Sequence, residues 1–204
     1  MCAIISWAGK LPPGLLARLL VASEYRGRDS TGVAFRTKSD AGRPCTAVSQ
    51  HAVPATTFAN QNAEYLRRAE SSPIGIAHVR RASFGMPVNN ENAHPFFYAG
   101  YTFAHNGKVD NWKILREEFV EEVRSSISPS KLLESEDGVK RMIKRAREDK
   151  DTELWGELKK LLFLMEAKTD SKVLGYCIQH DDFSKVEGCA SITWIKGDSV
   201  RVAR

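Results

Sequence analysis

Short apolar runs separated by turn residues mark the first half of the chain. Cys2 to Trp7 reads as a buried strand, closed by the turn around Gly9 to Gly14 with Pro12 and Pro13. Behind it, "PPGLLARLLVASEYRGRDS" carries Leu15, Leu16, Leu19, Leu20 and Ala22 on a helical stripe, with Pro13 near its start, and predicts a helix. "TGVAFRT" reads as a strand, "AGRPC" as a turn and "CTAVSQHAV" as a second strand. Phe58 to Glu70 reads as a short polar helix, and "PIGIAHVRRA" as a strand running into a loop. "FGMPVNNENAHPF" is rich in Asn, Pro and Gly and reads as an ordered or functional loop. "FFYAGYTFAHNG" reads as a strand ending in a turn, with Asn106-Gly107 as a tight connection. "NWKILREEFVEEVRSS" reads as an amphipathic helix.

From about Ser126 to Lys168 the pattern becomes charge-dense with helical periodicity. Lys, Arg, Glu and Asp nearly balance there, which fits one or two solvated helices with faces of mixed sign. A basic nucleic-acid patch around Lys140 to Arg147 is the weaker reading, because Glu148, Asp149 and Asp151 follow at once. The closing "GCASITWIKGDSVRVAR" reads as a hairpin turning at Gly197-Asp198. No internal repeat, heptad or low-complexity tract interrupts this order.

Composition narrows the class. At 204 residues, 42% hydrophobic and 27% charged, the chain suits one globular domain, or one with an appendage. No apolar run approaches the roughly 18 residues that span a bilayer, and no secretory signal precedes the first strand. The expected location is cytoplasmic. Cys2, Cys45, Cys177 and Cys189 are then expected to be reduced thiols, and their spacing contains no C-x-x-C pair. The formal charge of +5 permits a polyanionic partner without demanding one. No membrane partner is expected, and nucleic acid is not favoured.

Four stretches carry candidate chemistry: "MC" at the start, "YRGRDSTG" at 25–32, "AHVRRASFG" at 77–85, and "NAHPFFYAGYTFAHNGKVDN" at 92–111. Each has a plain structural reading. Cys2 by position alone is a small hydrophobe beginning a strand, and Arg26 with Asp29 fits an ion pair at a helix end. His78, His94 and His105 are joined by no acidic or thiolate residue at ligand spacing, so structural roles are favoured over metal binding.

In combination and in order, "RG-x-DS-x-G", "H-x-R-x-A-(S/T)-x-G", "NAHP" and "HNG-x-x-x-N" resemble the class II glutamine amidotransferases, the glutaminase domain of the N-terminal-nucleophile hydrolases. The resemblance covers roughly residues 2–120 and the last three dozen. It implies an α+β fold, a four-layer αββα sandwich of two mostly antiparallel sheets, and one glutaminase domain over residues 1–204 with a charged helical insertion at about 126–168. No cofactor and no metal are implied. With Met1 removed, Cys2 is the expected nucleophile and its α-amine the base, since an α-amine titrates near pH 7.7–8. The expected reaction hydrolyses the side-chain amide of L-glutamine through a γ-glutamyl thioester, giving glutamate and ammonia.

The same resemblance assigns Asn106 and Gly107 to the oxyanion hole, and Arg80 to the α-carboxylate of glutamine. Ser83 stands in the glutamine-covering loop, and Arg26 supports the nucleophile. His94 and His105 hold loops. For the α-amine, Asp170 of "KTDSKVLGYCIQ" competes with Asp151 of "DKDTELWGELKK". Asp170 is favoured because it follows the strand-like "LLFLMEAK" and leads into an apolar helix face. Ala3 replaces the family's common Gly, Arg81 a frequent aromatic, and Lys172 the usual Glu. The implied partner is a separate ammonia-accepting synthase subunit. An N-terminal-cysteine amidase for another amide, or a decayed glutaminase fold used as a binding module, are the rival readings.

Overall fold

A computed structural model describes residues 2–83, 85–127, 135–167 and 169–204. Met1, whose removal is expected above, and part of the 126–168 stretch lie outside the described residues. The chain divides into two compact units, residues 1–107 with 189–204 and residues 108–188.

The first unit is built on two sheets. One has the order β1 (Ala3–Ala8), β4 (Ile74–Arg80), β2 (Ser30–Lys38), β3 (Pro44–His51), with every neighbouring pair antiparallel. The other has the order β5 (Phe96–Tyr98), β6 (Tyr101–Val109), β7 (Gly188–Lys196), β8 (Ser199–Ala203). The period of two along β4 decides what each face does. Ala77 and Val79 join Val33, Phe35, Ala3 and Trp7 against Leu16 and Leu20 of α1 (Leu15–Ser23), Phe58 of α2 (Ala55–Gln61) and Leu66 of α3 (Ala63–Ser71). Ile74 and Ile76 point the other way, packing with Ala104 of β6, Ile195 of β7 and Val200 of β8. His78 and Arg80 continue that second face, so the space between the sheets is apolar at one end and polar at the other.

Nine residues are too few for α1 to persist alone. Burial of Leu16 and Leu20, at about 2 kcal/mol each, holds it to the sheet. Its N-cap, Gly14, has no side chain to accept the free N–H groups. The carboxylate of buried Glu70 on α3 accepts them instead, from Gly14 and Leu16 at 2.9 Å each. Buried Glu24 does the same for α2, accepting the Thr56 N–H at 2.6 Å and its hydroxyl at 2.7 Å, and these bonds hold its carboxyl below the usual range. Two acids distant in sequence therefore cap α1, which carries the chain into "YRGRDSTG", and α2, which follows β3.

The second unit contains α4 (Trp112–Ser126), α5 (Glu136–Glu148), α6 (Thr152–Met165) and α7 (Asp170–His180). Their buried faces supply Leu115, Phe119, Val139, Leu158, Leu161, Leu164, Leu174 and Ile178. Charge density here marks two helices with one packed face each, rather than fully solvated ones.

Three local expectations change. "LLFLM" lies in α6 and not in a strand, because Leu158, Leu161 and Leu164 recur at helical spacing and bury one face. The polar helix at 58–70 becomes α2 and α3, broken at Asn62. Asn106-Gly107 is not a turn: it lies within β6, and the hairpin turns at Ala99-Gly100, where φ is +47° and +85°.

Candidate active site

Cys2 lies one residue before β1. The register Ala3↔Val79, carried back one step, sets it opposite Arg80 at the polar end of the inter-sheet face. Three backbone and side-chain groups from distant segments converge on it. The Arg26 Nε–H donates to the Cys2 carbonyl at 2.8 Å. The Asn106 Nδ2 donates to the same carbonyl at 3.3 Å. The Cys2 sulfur accepts the Arg81 backbone N–H at 3.2 Å and lies 3.5 Å from the Arg81 carbonyl, to which its S–H donates. The residue is half-buried, so the thiol is reachable. Among the other cysteines, burial pushes the Cys177 thiol up to about 12, which makes it inert by comparison.

Asn106 is oriented by His78. The ring lies on β4 with 1% exposure, and burial lowers its pKa to about 3, against a smaller opposing effect from the Asn106 hydrogen bond. It is therefore neutral at physiological pH. The Asn106 Oδ1 can only accept, so the His78 Nε2, 2.9 Å away, carries the proton. With Oδ1 occupied, the amide presents Nδ2 to Cys2. His94 lies with its ring centroid 4.4 Å from that of His78, and its Nε2 is 3.2 Å from the Nδ1 of His105. Burial first, then the neighbouring histidines, hold the His94 pKa well below its ordinary value. His94 and His105 thus form a hydrogen-bonded pair beside His78. No group of three or more metal-ligating side chains occurs among the described residues.

Gly107 follows Asn106 with φ +115°, and a Cβ there would lie 1.9 Å from the Cys189 carbonyl oxygen. Only glycine allows β6 to approach β7 at this point. Arg80 ends β4, 8% exposed, on the same face as His78. Ser83 is exposed beyond it, and its carbonyl closes a turn by accepting the Met86 N–H at 3.0 Å. The groups bonded to Cys2 come from Arg26, Arg81 and Asn106, and Ser83 stands outside them. Asp170 belongs to the second unit, at the first turn of α7, where its carboxylate accepts N–H groups from Ser171 at 2.8 Å and Val109 at 3.1 Å. Asp151, its competitor, is the N-cap of α6 and accepts the Leu154 N–H at 3.0 Å.

The sequence reading took Asp29 as an ion-pair partner of Arg26 and gave no role to Gly27, the Arg81 backbone or the orienting bond of His78. The signal was present in "RG-x-DS-x-G", but what these residues contribute is close approach and backbone bonding. A Cβ on Gly27 would lie 2.4 Å from the Arg81 nitrogen, and one on Gly32 would lie 2.2 Å from the His94 carbonyl oxygen. Because Arg81 meets Cys2 through its main chain, replacing the family's frequent aromatic leaves that contact intact.

The neutral histidines carry a pH consequence. The folded state holds His78 near pKa 3, while an unfolded histidine titrates near 6.5. The unfolded chain therefore binds the proton first as pH falls. The stability contribution is complete above about pH 6.5 and is lost between pH 6.5 and 3, at up to about 1.4 kcal/mol per pH unit. Urea midpoints should fall from pH 7 to pH 5, and His78→Gln should show a shallower fall. Equal slopes in the two proteins would refute this account.

Comparison with known proteins adds a separate line. The family described as glutamine amidotransferases class-II matches residues 20–165. A glutamine--fructose-6-phosphate aminotransferase of Agrobacterium fabrum is 39% identical over 121 residues, covering 58% of this chain and 18% of that protein. The Listeria monocytogenes enzyme of the same name is 33% identical over 129 residues, covering 59% of this chain and 19% of its own. The chain thus matches about a fifth of the length of these relatives. Among solved structures, the glutamine phosphoribosylpyrophosphate amidotransferase from B. subtilis aligns over 100% of this chain and 37% of its own, with TM-score 0.51 and 18% identity, a likeness of fold.

Proposed function

Since the chain belongs to the class II glutamine amidotransferases, we propose that it hydrolyses the side-chain amide of L-glutamine at Cys2 and delivers ammonia to an acceptor site on a separate synthase subunit. The observation that carries this reading is the convergence of Arg26, Arg81 and Asn106 on Cys2, with Arg80 ending the neighbouring strand. In the proposed reaction the active chain begins at Cys2. Its α-amine takes the thiol proton, and the sulfur attacks the amide carbon. The developing oxyanion replaces the Cys2 carbonyl as acceptor of the Asn106 Nδ2–H and takes a second bond from the Gly107 N–H. The proton then passes to the departing nitrogen, ammonia leaves, and water cleaves the thioester to give glutamate. Arg80 pairs with the substrate α-carboxylate. Ser83 covers the bound glutamine, and Asp170 takes the α-amine; both roles rest on the family resemblance.

The need for an ammonia acceptor draws on the relatives, in which the matched segment makes up 18–19% of a longer aminotransferase; its placement on a separate subunit is part of the proposal. No helix among the described residues is long and apolar enough to cross a membrane. The test offers L-glutamine beside L-asparagine and a glutamine blocked at its α-carboxylate, and measures amide hydrolysis. Glutamine alone should turn over, and Arg80→Lys should raise its KM about tenfold or more, since a point charge cannot replace the bidentate fork. Equal turnover of the blocked substrate would sink the head-group assignment and favour an amidase of another specificity.

A further inference from the structure

Residue 81 touches the Cys2 sulfur only through its backbone, so whatever fixes that backbone fixes the sulfur. Asp29 bonds on both sides of it. The Asp29 N–H donates to the Arg80 carbonyl at 3.0 Å, and the Asp29 Oδ2 accepts the Ala82 N–H at 2.6 Å. The residue before and the residue after Arg81 are thus tied to one aspartate. Gly27, two positions earlier, closes the arrangement from the other side. It packs against the Arg80–Arg81 peptide so tightly that a Cβ would lie 2.4 Å from the Arg80 carbonyl carbon and from the Arg81 nitrogen. Gly27 has extended backbone, so the constraint is space and not torsion.

We propose that Asp29 is a positioning residue for the nucleophile, holding the Arg81 main chain so that its N–H points at the Cys2 sulfur. The proposal rests on the glutaminase reading only for the identity of the nucleophile. The bond from Ala82 ends on a carboxylate, and a bond to an ionised acceptor is stronger than one to an amide. Asparagine at position 29 keeps an acceptor of the same shape but lowers its strength, and alanine removes it. The Arg81 N–H is nearer the sulfur than the Arg81 carbonyl, at 3.2 against 3.5 Å, and a hydrogen bond donated to sulfur stabilises negative charge developing on it, so loosening this peptide weakens that stabilisation.

The test is the pH dependence of Cys2 alkylation by iodoacetamide, followed by peptide mass so that Cys45 and Cys189 are read separately, with glutamine kinetics in parallel. Asp29→Asn should shift the Cys2 profile upward, and Asp29→Ala should shift it further, by about half to one pH unit. The kcat for glutamine should fall in the same order, about tenfold to a hundredfold for alanine, with asparagine partly restoring it. A folded Asp29 variant with the wild-type alkylation profile, or one shifted downward, would overturn the proposal. If Asp29→Ala does not yield folded protein, Asp29→Asn decides alone by the same criterion. Alkylation is measured without glutamine. A wild-type protein that fails to hydrolyse glutamine but shows the graded profile would reject the glutaminase reading and leave the positioning role standing.

Discussion

Cys2→Ala is expected to reduce glutamate release by at least about 10⁴-fold, because removing a nucleophile removes the covalent route altogether. The side chain is half-buried and loses only one sulfur atom, so the fold should survive. The thermal midpoint should stay within a few degrees of the wild type, and glutamine binding by calorimetry should remain. Retained turnover would refute the thioester mechanism. A companion measurement addresses the base. Intact mass of the active protein should show a chain that begins at Cys2, and a form carrying any residue ahead of Cys2 should be slower by about 10²–10⁴. Full activity in a protein that keeps Met1 would refute the α-amine as base.

Asn106→Ala carries the second large effect. Loss of one oxyanion donor typically lowers kcat by about 10²–10³. The effect should appear in kcat with KM little changed, since the negative oxygen exists only in the transition state. Asn106→Asp should be worse than alanine. One carboxylate oxygen can still accept from His78, but the other would face the Cys2 carbonyl and the developing oxyanion with like charge. A raised KM at unchanged kcat would move Asn106 from transition-state stabilisation to substrate binding.

Much of the architecture was legible locally. The strands around Ile4, Val33 and Ile76, the helix from Leu15, the amphipathic helix from Trp112 and the closing hairpin at Gly197 all appear where alternation or helical spacing placed them. The errors share a cause. "LLFLM" is apolar at nearly every position, so its period is hidden, and only burial of Leu158, Leu161 and Leu164 on one face reveals a helix. Asn-Gly is a turn pair in isolation. Here Cys189 presses its carbonyl against Gly107, so the glycine provides clearance inside a strand instead.

The candidate site divides along the same line. Motif order marks Cys2, Arg26, Arg80, Asn106 and Gly107 as candidates through the family resemblance, while each residue taken alone has a plain structural reading. The alternation along β4 is also local, and it puts His78 and Arg80 on one face. Which groups meet is not local. Asn106 reaches Cys2 across 104 positions, and Arg81 across 79. Asp29 matters through two bonds to backbone that any residue type would present. Chemical identity is written in side chains and can be read one residue at a time. Proximity, the tautomer of a buried histidine and the aim of a backbone N–H arise only when the sheets pack, because burial and register create them.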